Sequence, residues 1–476
     1  MKKIEHIYIN GQFVRPHGTE ILELINPSNG IASAQVTLGD ETDAQTAIAA
    51  AKAAYPAFSQ TTKEQRMVYM QRLHDAVLAR SDELIATMIE EYGGPLSTCK
   101  GTVQRAANSF LRTAELLKKF EFVKYVGTAK VILEPHGVVG LITPWNANYS
   151  FICGKLAAAL AAGSTAVIKP SELSAAQTQL LTECLHTAGL PAGVFNIVNG
   201  RGATVGAEIT RHPDIAKISF TGSTAVGKAI ARGAVDTMKR VTLELGGKSP
   251  NVILDDADFE KAIPLALSAA TMNNGQACLA GTRLLVPLHR LDEVKRLIQK
   301  AAAAVKVGDP RDSATSIGPL VTRTQYDRVQ RYIRLGIEEG AQLLIGGEGH
   351  PAGLEQGNFA KLTVFTNVTN DMTIAKEEIF GPVLSILTYK TEAEAIEIAN
   401  DTIYGLHAYV SSSDSRRANR VASQIVAGRV FINGLYDEPE APFGGFKQSG
   451  IGREFGTYGL EAYLEPKAVL GYGEAS

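Results

Sequence analysis

Five short apolar runs between residues 138 and 245 constrain the fold of this chain most strongly. Stretches with helical spacing separate most of them, and such an alternation of strands and helices is typical of a parallel sheet. Helices cover both faces of a parallel sheet, and a ligand crevice opens at the carboxyl ends of its strands. The sequence therefore predicts an α/β fold whose functional residues follow the strands. The five runs are VVGLIT (138–143), TAVIK (165–169), VFNIV (194–198), AKISF (216–220) and VTLEL (241–245).

The rest of the chain predicts a helical scaffold and a second α/β series. Residues 42–120 have the spacing of helices, with one unbroken stretch over 63–91. The apolar segments NVILDD (251–256) and LLV (284–286) begin a second series that continues to about residue 430. A chain of 476 residues has room for about three structural units.

Charge and composition exclude several classes of protein. The 47 Lys and Arg residues are balanced by 49 Asp and Glu residues, and the formal charge of −2 provides no positive field for nucleic acid or an anionic membrane. The most apolar stretch, 151–162, contains Lys155 and is too short to cross a bilayer, and the first residues lack the apolar run of a signal peptide. We therefore expect a cytoplasmic protein that binds neither nucleic acid nor membranes.

The cysteines indicate a candidate nucleophile. Four cysteines lie far apart and include no CxxC pair, so neither a disulfide framework nor a metal site is expected. Cys278 differs from Cys99, Cys153 and Cys184 because it lies between small residues in the polar loop NNGQACLAGTR (273–283). A cysteine in such a loop is a candidate nucleophile, and an inert core cysteine is the alternative.

Polar residues follow the first two predicted strands. Trp145 and Asn146 come directly after the first strand, where the side-chain amide of Asn146 could donate to an oxyanion. A turn that plugs the sheet edge is the alternative. Lys169 ends the second strand and Glu172 follows three residues later. An acidic residue at this place suits ribose hydroxyls, and helix capping is the alternative.

The fourth and fifth strands end in turns that contain glycine. In FTGSTAVGK (220–228), Gly222 and Ser223 open a helix whose amides could meet a pyrophosphate, although the pattern is not that of a P-loop or of the usual dinucleotide fingerprint. The fifth strand ends in Glu244, close to Gly246. Because a carboxylate in an apolar strand is costly to bury, Glu244 is expected either to act in catalysis or to pair with a cation such as Lys248.

Seven segments, in their order and spacing, resemble the aldehyde dehydrogenase superfamily. The resemblance spans nearly the whole chain. It implies a Rossmann-like parallel-sheet cofactor domain, a second α/β catalytic domain and a small β oligomerisation arm. The segments are PWN (144–146), KPSE (169–172), FTGSTAVGK (220–228), LELGGKSPN (243–251), GQACLAGTR (275–283), EEIFGPV (377–383) and PFGGFKQSGIGRE (442–454).

The resemblance also implies the roles of individual residues. Cys278 corresponds to the nucleophile, Glu244 to the general base and Asn146 to the oxyanion donor, with NAD as cofactor and no metal. Glu172 predicts NAD rather than NADP, because a carboxylate would repel a 2′-phosphate. The implied NAD-binding residues are Lys169 and Glu172 for the adenosine ribose, Gly222 and Ser223 for the pyrophosphate, Glu378 and Phe380 for the nicotinamide ribose, and also Trp145 and Gly246.

The expected domain limits follow from the same resemblance. The NAD-binding domain covers 1–120 and 137–245, with 449–462 packed on it, the catalytic domain covers 246–448, and the arm covers 121–136 and 463–476. Strands of the arm would leave open edges in a monomer, so we expect a homo-oligomer, either a dimer or a tetramer. Arg453 and Glu465 are candidates for an ion pair that supports the subunit contact.

Two departures from the family pattern bear on the substrate. Where many members have an aromatic residue and then proline after the oxyanion donor, this chain has Ala147 and Asn148. The loop before PFGGF is acidic, which favours polar or cationic aldehydes, with a solvated acidic loop as the alternative. The acidic residues are Asp437, Glu438 and Glu440.

The predicted reaction is the NAD-dependent oxidation of an aldehyde to a carboxylic acid. It passes through a cysteine thiohemiacetal and a thioester, which glutamate-activated water hydrolyses. Three other functions are considered: acyl transfer to coenzyme A, hydrolysis by the cysteine without a redox step, and binding without catalysis. Glu244 argues against acyl transfer to coenzyme A, because that reaction needs no base for water. The nucleotide-like crevice argues against simple hydrolysis, and the three predicted catalytic residues together argue against binding without catalysis.

Overall fold

A computed structural model describes residues 1–436 and 438–471 of the protein. Within these ranges the chain forms 15 α-helices and 21 β-strands. Asp437 of the acidic loop and residues 472–476 of the predicted arm lie outside the described residues.

The strands are β1 (Lys2–Ile4), β2 (Ile7–Ile9), β3 (Gln12–Val14), β4 (Ile21–Ile25), β5 (Ala32–Thr37), β6 (Val123–Val126), β7 (Ala129–Pro135), β8 (Val138–Ile142), β9 (Thr165–Lys169), β10 (Phe195–Ile197), β11 (Ile215–Thr221), β12 (Arg240–Glu244), β13 (Pro250–Ile253), β14 (Arg283–Pro287), β15 (Gln342–Ile345), β16 (Thr363–Thr366), β17 (Val383–Tyr389), β18 (His407–Ser411), β19 (Arg429–Ile432), β20 (Gly450–Ile451) and β21 (Leu464–Val469). The helices are α1 (Glu41–Ser59), α2 (Lys63–Ala79), α3 (Ser81–Tyr92), α4 (Leu96–Lys119), α5 (Asn148–Ala162), α6 (Ala175–Thr187), α7 (Ala207–Arg211), α8 (Thr224–Val235), α9 (Phe259–Thr271), α10 (Leu291–Ala302), α11 (Arg323–Glu338), α12 (Thr373–Lys376), α13 (Glu392–Asn400), α14 (Ser415–Ala422) and α15 (Gly456–Glu461).

An eight-stranded sheet has the strand order β20-β12-β11-β8-β9-β10-β2-β3. Its five central strands, β12, β11, β8, β9 and β10, are parallel and contain the five apolar runs, which confirms the predicted α/β fold class. Every residue of β8 and β9 is buried, as expected where helices cover both faces. The strand order reverses at β8, whose neighbours are β9 and β11, and this places a crevice at the carboxyl end of β8.

A seven-stranded sheet has the order β15-β16-β17-β14-β13-β18-β19 and is parallel except for the edge strand β15. One face packs against α9 and α10, through residues that include Ile263 and Leu297. The other face packs against α11, α13 and α14, through residues that include Val329 and Val421. The second α/β series thus folds around its own sheet.

The helical scaffold differs from the prediction at one point. The expected unbroken stretch over 63–91 consists of two helices, because Arg80 leaves the helical conformation (φ −120°, ψ 27°) between α2 and α3. Arg80 forms ion pairs with Glu83 and with Glu183 of α6, each at 2.8 Å. Leu73 and Leu84, one on each side of the break, are buried in the same core, so the apolar periodicity continues across it.

Two small sheets complete the fold. The sheet β21-β7-β6 joins the predicted arm segments, with register from Leu464 opposite Pro135 to Val469 opposite Lys130, and β4 and β1 flank β5 in another small sheet. Glu465 is bound by Arg240 at 2.9 Å, whereas Arg453 donates to backbone carbonyls. The predicted Arg453–Glu465 pair is therefore absent from the described chain. No described helix is both long and apolar enough to cross a bilayer.

Candidate active site

The carboxyl ends of four parallel strands bring most of the predicted residues to one edge of the eight-stranded sheet. Ile142, the last residue of β8, is in register with Lys169 on β9 and with Phe220 on β11. Thr221 is in turn in register with Glu244 on β12. The segments that contain Asn146, Glu172 and Ser223 start from this edge.

Cys278 reaches the edge through an unusual turn. After α9 ends at Thr271, Asn273, Asn274 and Gly275 all have positive φ angles, of 53°, 63° and 71°. Gly247 lies directly against the backbone of Cys278, because a Cβ atom added at Gly247 would overlap the Cys278 carbonyl. Gly247 therefore lets the cysteine loop pack closely against the segment that follows β12.

Asn146 is held against the same loop. Its side chain is buried, and its Nδ2 donates to the backbone carbonyl of Gln276 at 2.9 Å. An amide nitrogen carries two hydrogens, so one is engaged here and the second remains for another acceptor. Since Gln276 is two residues before Cys278, this geometry suits an oxyanion formed at the cysteine.

Glu244 has the most unusual environment in the site. It is 2% exposed, and neither carboxylate oxygen has a hydrogen-bond partner among the described residues. The expected alternative, an ion pair with Lys248, is not formed, because the Lys248 ammonium also lacks a partner within the described chain. A Cβ at Gly444 would lie 2.7 Å from Oε1, so this glycine keeps space beside the carboxylate.

Burial raises the pKa of Glu244 well above its ordinary value, and the nearby Glu454 raises it further. Lys155 acts in the opposite direction, but it is already paired with Glu454 and donates to Ser219 at 2.9 Å. A buried carboxylate with a raised pKa is a stronger base than one in water. This is the property that a group taking a proton from water requires.

Cys278 is the only cysteine of the chain that is not fully buried. Burial raises the pKa of its thiol to about 12, and the negative charges of Glu378 and Glu244 also raise it. The thiol is therefore protonated at pH 7. Cys99, Cys153 and Cys184 lie in the core of the helical scaffold. Accessibility thus separates Cys278 from the cysteines that only fill the core.

Glu172 lies in a cluster of charges after β9. It accepts from Lys169 at 3.1 Å, and Arg201 is 3.6 Å from its other oxygen. Ser171, rather than Glu172, caps the following turn by accepting from Leu173 N. Burial acts to raise the pKa of Glu172, but Lys169, a backbone hydrogen bond and Arg201 together lower that pKa below its ordinary value, so the carboxylate is ionised. An ionised carboxylate at this place can accept from ribose hydroxyls.

Gly222 and Ser223 begin α8 beside β12. Gly222 N donates to the carbonyl of Glu244 at 3.0 Å, and Ser223 is the N-cap of α8, which has 12 residues. Ser223 and Val226 are exposed, so the first turn of the helix faces solvent. A helix start of this kind binds anionic phosphate groups.

Glu378 lies close to Cys278 and Gly246, and Trp145 contacts Phe380, two residues after Glu378. Glu378 accepts from Gly247 N at 3.1 Å, and a Cβ at Gly246 would lie 2.6 Å from its other oxygen. Burial raises the pKa of Glu378 to about 7. The Trp145 and Phe380 rings meet edge to face at 5.5 Å. Cys278, Glu378 and Gly246 thus lie close together, while Asn146, Glu172 and Ser223 follow strands that end at the same edge of the sheet.

The residues of this crevice fit a dinucleotide. It contains a carboxylate for a ribose at Glu172, an open helix start for phosphates at Ser223, and a second carboxylate at Glu378. The Oγ1 atoms of Thr143 and Thr221, at the ends of β8 and β11, are buried without a hydrogen-bond partner in the part of the chain that the structure describes. Among the described residues there is no group of three or more metal-ligating side chains.

Several residues of the site were not found from the sequence. Tyr92, Asn273 and Gln276 connect the scaffold to the cysteine loop, and Lys155 with Glu454 surrounds Glu244. Lys155 could have been predicted to lie in a buried ion pair, because a lysine in an apolar helix needs a partner. The sequence around Tyr92 gave no indication of a role in the site, since an apolar helix end predicts only core packing.

Comparison with known proteins agrees with this geometry. The model of the aldehyde dehydrogenase family matches residues 13–469. The chain is 47% identical, over 99% of both chains, to 3-succinoylsemialdehyde-pyridine dehydrogenase from a Pseudomonas species.

Solved structures give the same result. A mutant of aldehyde dehydrogenase C from Pseudomonas syringae, in complex with NAD+ and octanal, superposes with a TM-score of 0.98 at 44% identity, covering 99% of this chain and 98% of that one. Betaine aldehyde dehydrogenase from Staphylococcus aureus, in complex with NAD+, superposes with a TM-score of 0.95 at 35% identity, covering 98% and 94%. The cofactor in these relatives agrees with the predicted one, and the predicted resemblance is confirmed: the chain belongs to the aldehyde dehydrogenase family.

Proposed function

We propose that the protein oxidises an aldehyde to a carboxylic acid with NAD, through a covalent intermediate on Cys278. The observation that supports this most strongly is Glu244, a buried carboxylate without a partner among the described residues, placed beside the loop of an accessible cysteine. Burying such a group costs folding free energy, which indicates that the carboxylate has a function. The family membership and the NAD complexes of two relatives support the same reaction.

The first step belongs to Cys278 and Asn146. The thiol releases its proton to solvent, and the sulfur adds to the aldehyde carbon, which leaves a negative charge on the former carbonyl oxygen. Asn146 donates its second amide hydrogen to this oxyanion, together with the backbone N–H of Cys278. NAD, when bound, supplies the acceptor for hydride, and the loss of hydride from the adduct leaves a thioester on Cys278.

The second step belongs to Glu244. Its carboxylate takes a proton from a water molecule, whose oxygen attacks the thioester carbon. The carbon–sulfur bond then breaks, the carboxylic acid is released, and the sulfur takes the proton held by Glu244, which restores the thiol. The closed environment of Glu244 makes it basic enough for this task, and no metal enters either step.

Glu172, with Lys169, would bind the adenosine ribose, Gly222 and Ser223 the pyrophosphate, and Glu378 and Phe380 the nicotinamide ribose. The ionised Glu172 gives a preference for NAD, because a 2′-phosphate would place like charges a few ångströms apart. Trp145 and Gly246 would shape the crevice next to Glu378.

The substrate is a small-molecule aldehyde. The structure of the Pseudomonas syringae relative contains octanal, and the Pseudomonas relative is named for 3-succinoylsemialdehyde-pyridine. Neither name indicates a cationic group. In this chain Glu438 and Glu440 are exposed at the acidic loop, which supports the predicted preference for polar or cationic aldehydes. A panel that includes hexanal and a short aminoaldehyde tests this preference.

We also propose the domain limits and the oligomeric state. The NAD-binding domain covers 1–120 and 137–245 with 449–462, the catalytic domain 246–448, and the arm 121–136 with 463–476. All four residues of β6 are exposed, at the open edge of the β21-β7-β6 sheet, which supports pairing with a second copy in a homo-oligomer. Four free cysteines support a reducing, cytoplasmic location.

The deciding experiment measures NADH formation with an aldehyde panel, with NAD and with NADP, for the wild type and Cys278→Ala. The wild type should form NADH and the acid, and Cys278→Ala should form neither. Cys184→Ala is the matched control, because this buried cysteine lies in the scaffold core. NADH formation by Cys278→Ala would exclude the covalent route, and NADH formation that requires coenzyme A and yields acyl-coenzyme A instead of the acid would favour the acylating alternative.

A further inference from the structure

The hydroxyl of Tyr92 ties the end of α3 to the cysteine loop. Gln276 Nε2 donates to this hydroxyl at 3.2 Å, and the hydroxyl donates to the carbonyl of Asn273 at 3.1 Å. A phenol has one hydrogen, so these two bonds use the hydroxyl in both directions. Tyr92 is 1% exposed, and its ring lies 5.9 Å from that of Trp145, the residue before Asn146.

Gln276 is held at both ends of its side chain and in turn holds Asn146. Its Oε1 accepts from Val321 N at 3.1 Å, while its Nε2 binds Tyr92. Its backbone carbonyl accepts from Nδ2 of Asn146 at 2.9 Å and from Nδ2 of Asn273 at 3.3 Å. Asn273 Nδ2 also donates to the carbonyl of Asn146, at 2.8 Å. The direction of the Asn146 amide thus depends on where this loop places one carbonyl.

The loop does not hold this conformation by backbone preference. Asn273 and Asn274 have φ angles of 53° and 63°, a region that residues with side chains adopt at some cost. Contacts with the scaffold compensate: Asn274 donates to the carbonyls of Gly93 and Pro319 and accepts from Gly318 N at 2.7 Å. The Tyr92 hydroxyl is the scaffold contact nearest to the Asn146 partner.

We propose that Tyr92 is a positioning residue for the reaction: through Gln276 and Asn273 it orients the amide of Asn146 towards the oxyanion. This inference rests on the proposed function, in which Asn146 donates to that oxyanion. Loss of the hydroxyl leaves Gln276 Nε2 and the Asn273 carbonyl without their partner, so that Val321 alone holds the Gln276 side chain and the carbonyl that engages Asn146 is less firmly held. Misplacement of a reacting group by about 1 Å costs up to about 100-fold in rate.

The test compares Tyr92→Phe with Tyr149→Phe. Tyr149 is also fully buried in the scaffold core and donates to the carbonyl of Leu84 at 3.1 Å, and within the described residues it forms no hydrogen bond with the cysteine loop. Two rates are measured: NADH formation in a single turnover, which requires the oxyanion, and alkylation of Cys278 by iodoacetamide, which forms no oxyanion. Tyr92→Phe should slow NADH formation by about 10- to 100-fold while leaving alkylation and the KM for NAD unchanged. Tyr149→Phe should change neither rate.

A double-mutant cycle with Asn146→Ala completes the test. If Tyr92 acts through Asn146, Tyr92→Phe should have little further effect in the Asn146→Ala background. Full multiplication of the two losses, an unchanged single-turnover rate in Tyr92→Phe, or an equal loss in alkylation would each overturn the inference. If Asn146→Ala itself forms NADH at the wild-type rate, the oxyanion role in the proposed function is overturned together with the inference. A slow Asn146→Ala beside a normal Tyr92→Phe overturns the inference alone.

Discussion

Replacement of Glu244 by glutamine should separate the two chemical steps of the proposed reaction. The amide has nearly the shape of the carboxylate but cannot take a proton from water. Cys278 and Asn146 are unchanged, so the thioester should still form. Because the carboxylate of Glu244 makes no hydrogen bond with a described residue, the substitution breaks none, and the fold should be preserved.

The expected magnitude follows from the environment of Glu244. General bases contribute about 10²- to 10⁴-fold, or about 3–5 kcal/mol of the barrier. Glu244 is 2% exposed, and burial raises its pKa well above that of an ordinary glutamate, so water in bulk solution is a poor replacement. We therefore expect thioester hydrolysis to slow by about 10²- to 10⁴-fold while the first turnover stays fast.

Rapid mixing with an aldehyde and NAD is the assay. Glu244→Gln should release about one NADH per active site and then turn over slowly, and mass spectrometry should find an acyl group on Cys278. Glu91→Gln is a matched control, since Glu91 is also buried with a pKa raised to about 7 but caps α6 through Ala176 N and Gln177 N. Steady turnover of Glu244→Gln at the wild-type rate would refute the assignment of the base, and a slowed first turnover would show that Glu244 also takes the proton of the thiol.

Three further predictions concern the cofactor, the pH dependence and the assembly. Glu172→Ser should narrow the preference for NAD over NADP by removing a like charge, as measured by the ratio of kcat/KM values; an unchanged ratio would contradict this role. Glu454→Gln should shift the rise of thioester hydrolysis to lower pH, because Glu454 raises the pKa of Glu244 and the base acts only above that pKa; a pH profile that does not move would contradict the coupling. Sedimentation should give a species heavier than the 50.8 kDa monomer at micromolar concentration, and a stable monomer would count against the arm contact.

Local sequence patterns predicted the central sheet and the candidate residues at its edge. The five apolar runs predicted the central strands, because strands buried on both faces need continuous apolar sequence. The ends of those runs placed Asn146, Glu172 and Glu244 correctly at one edge, since parallel strands bring their carboxyl ends together. The sequence did not predict the break between the two helices at Arg80, because the apolar periodicity continues through it.

The partners of the site residues depend on contacts between distant parts of the chain. The sequence by itself indicated the candidate catalytic and cofactor-binding residues, through the seven ordered segments, and the strand ends that they follow. It left open whether Glu244 would pair with Lys248, and the tertiary structure decided this by placing both groups without partners among the described residues. Tyr92 reaches Gln276 across 184 positions, and Lys155 reaches Glu454 across 299. Packing between remote segments sets such contacts, and with them the pKa of Glu244 and the direction of the Asn146 amide, so spacing along the chain does not encode them.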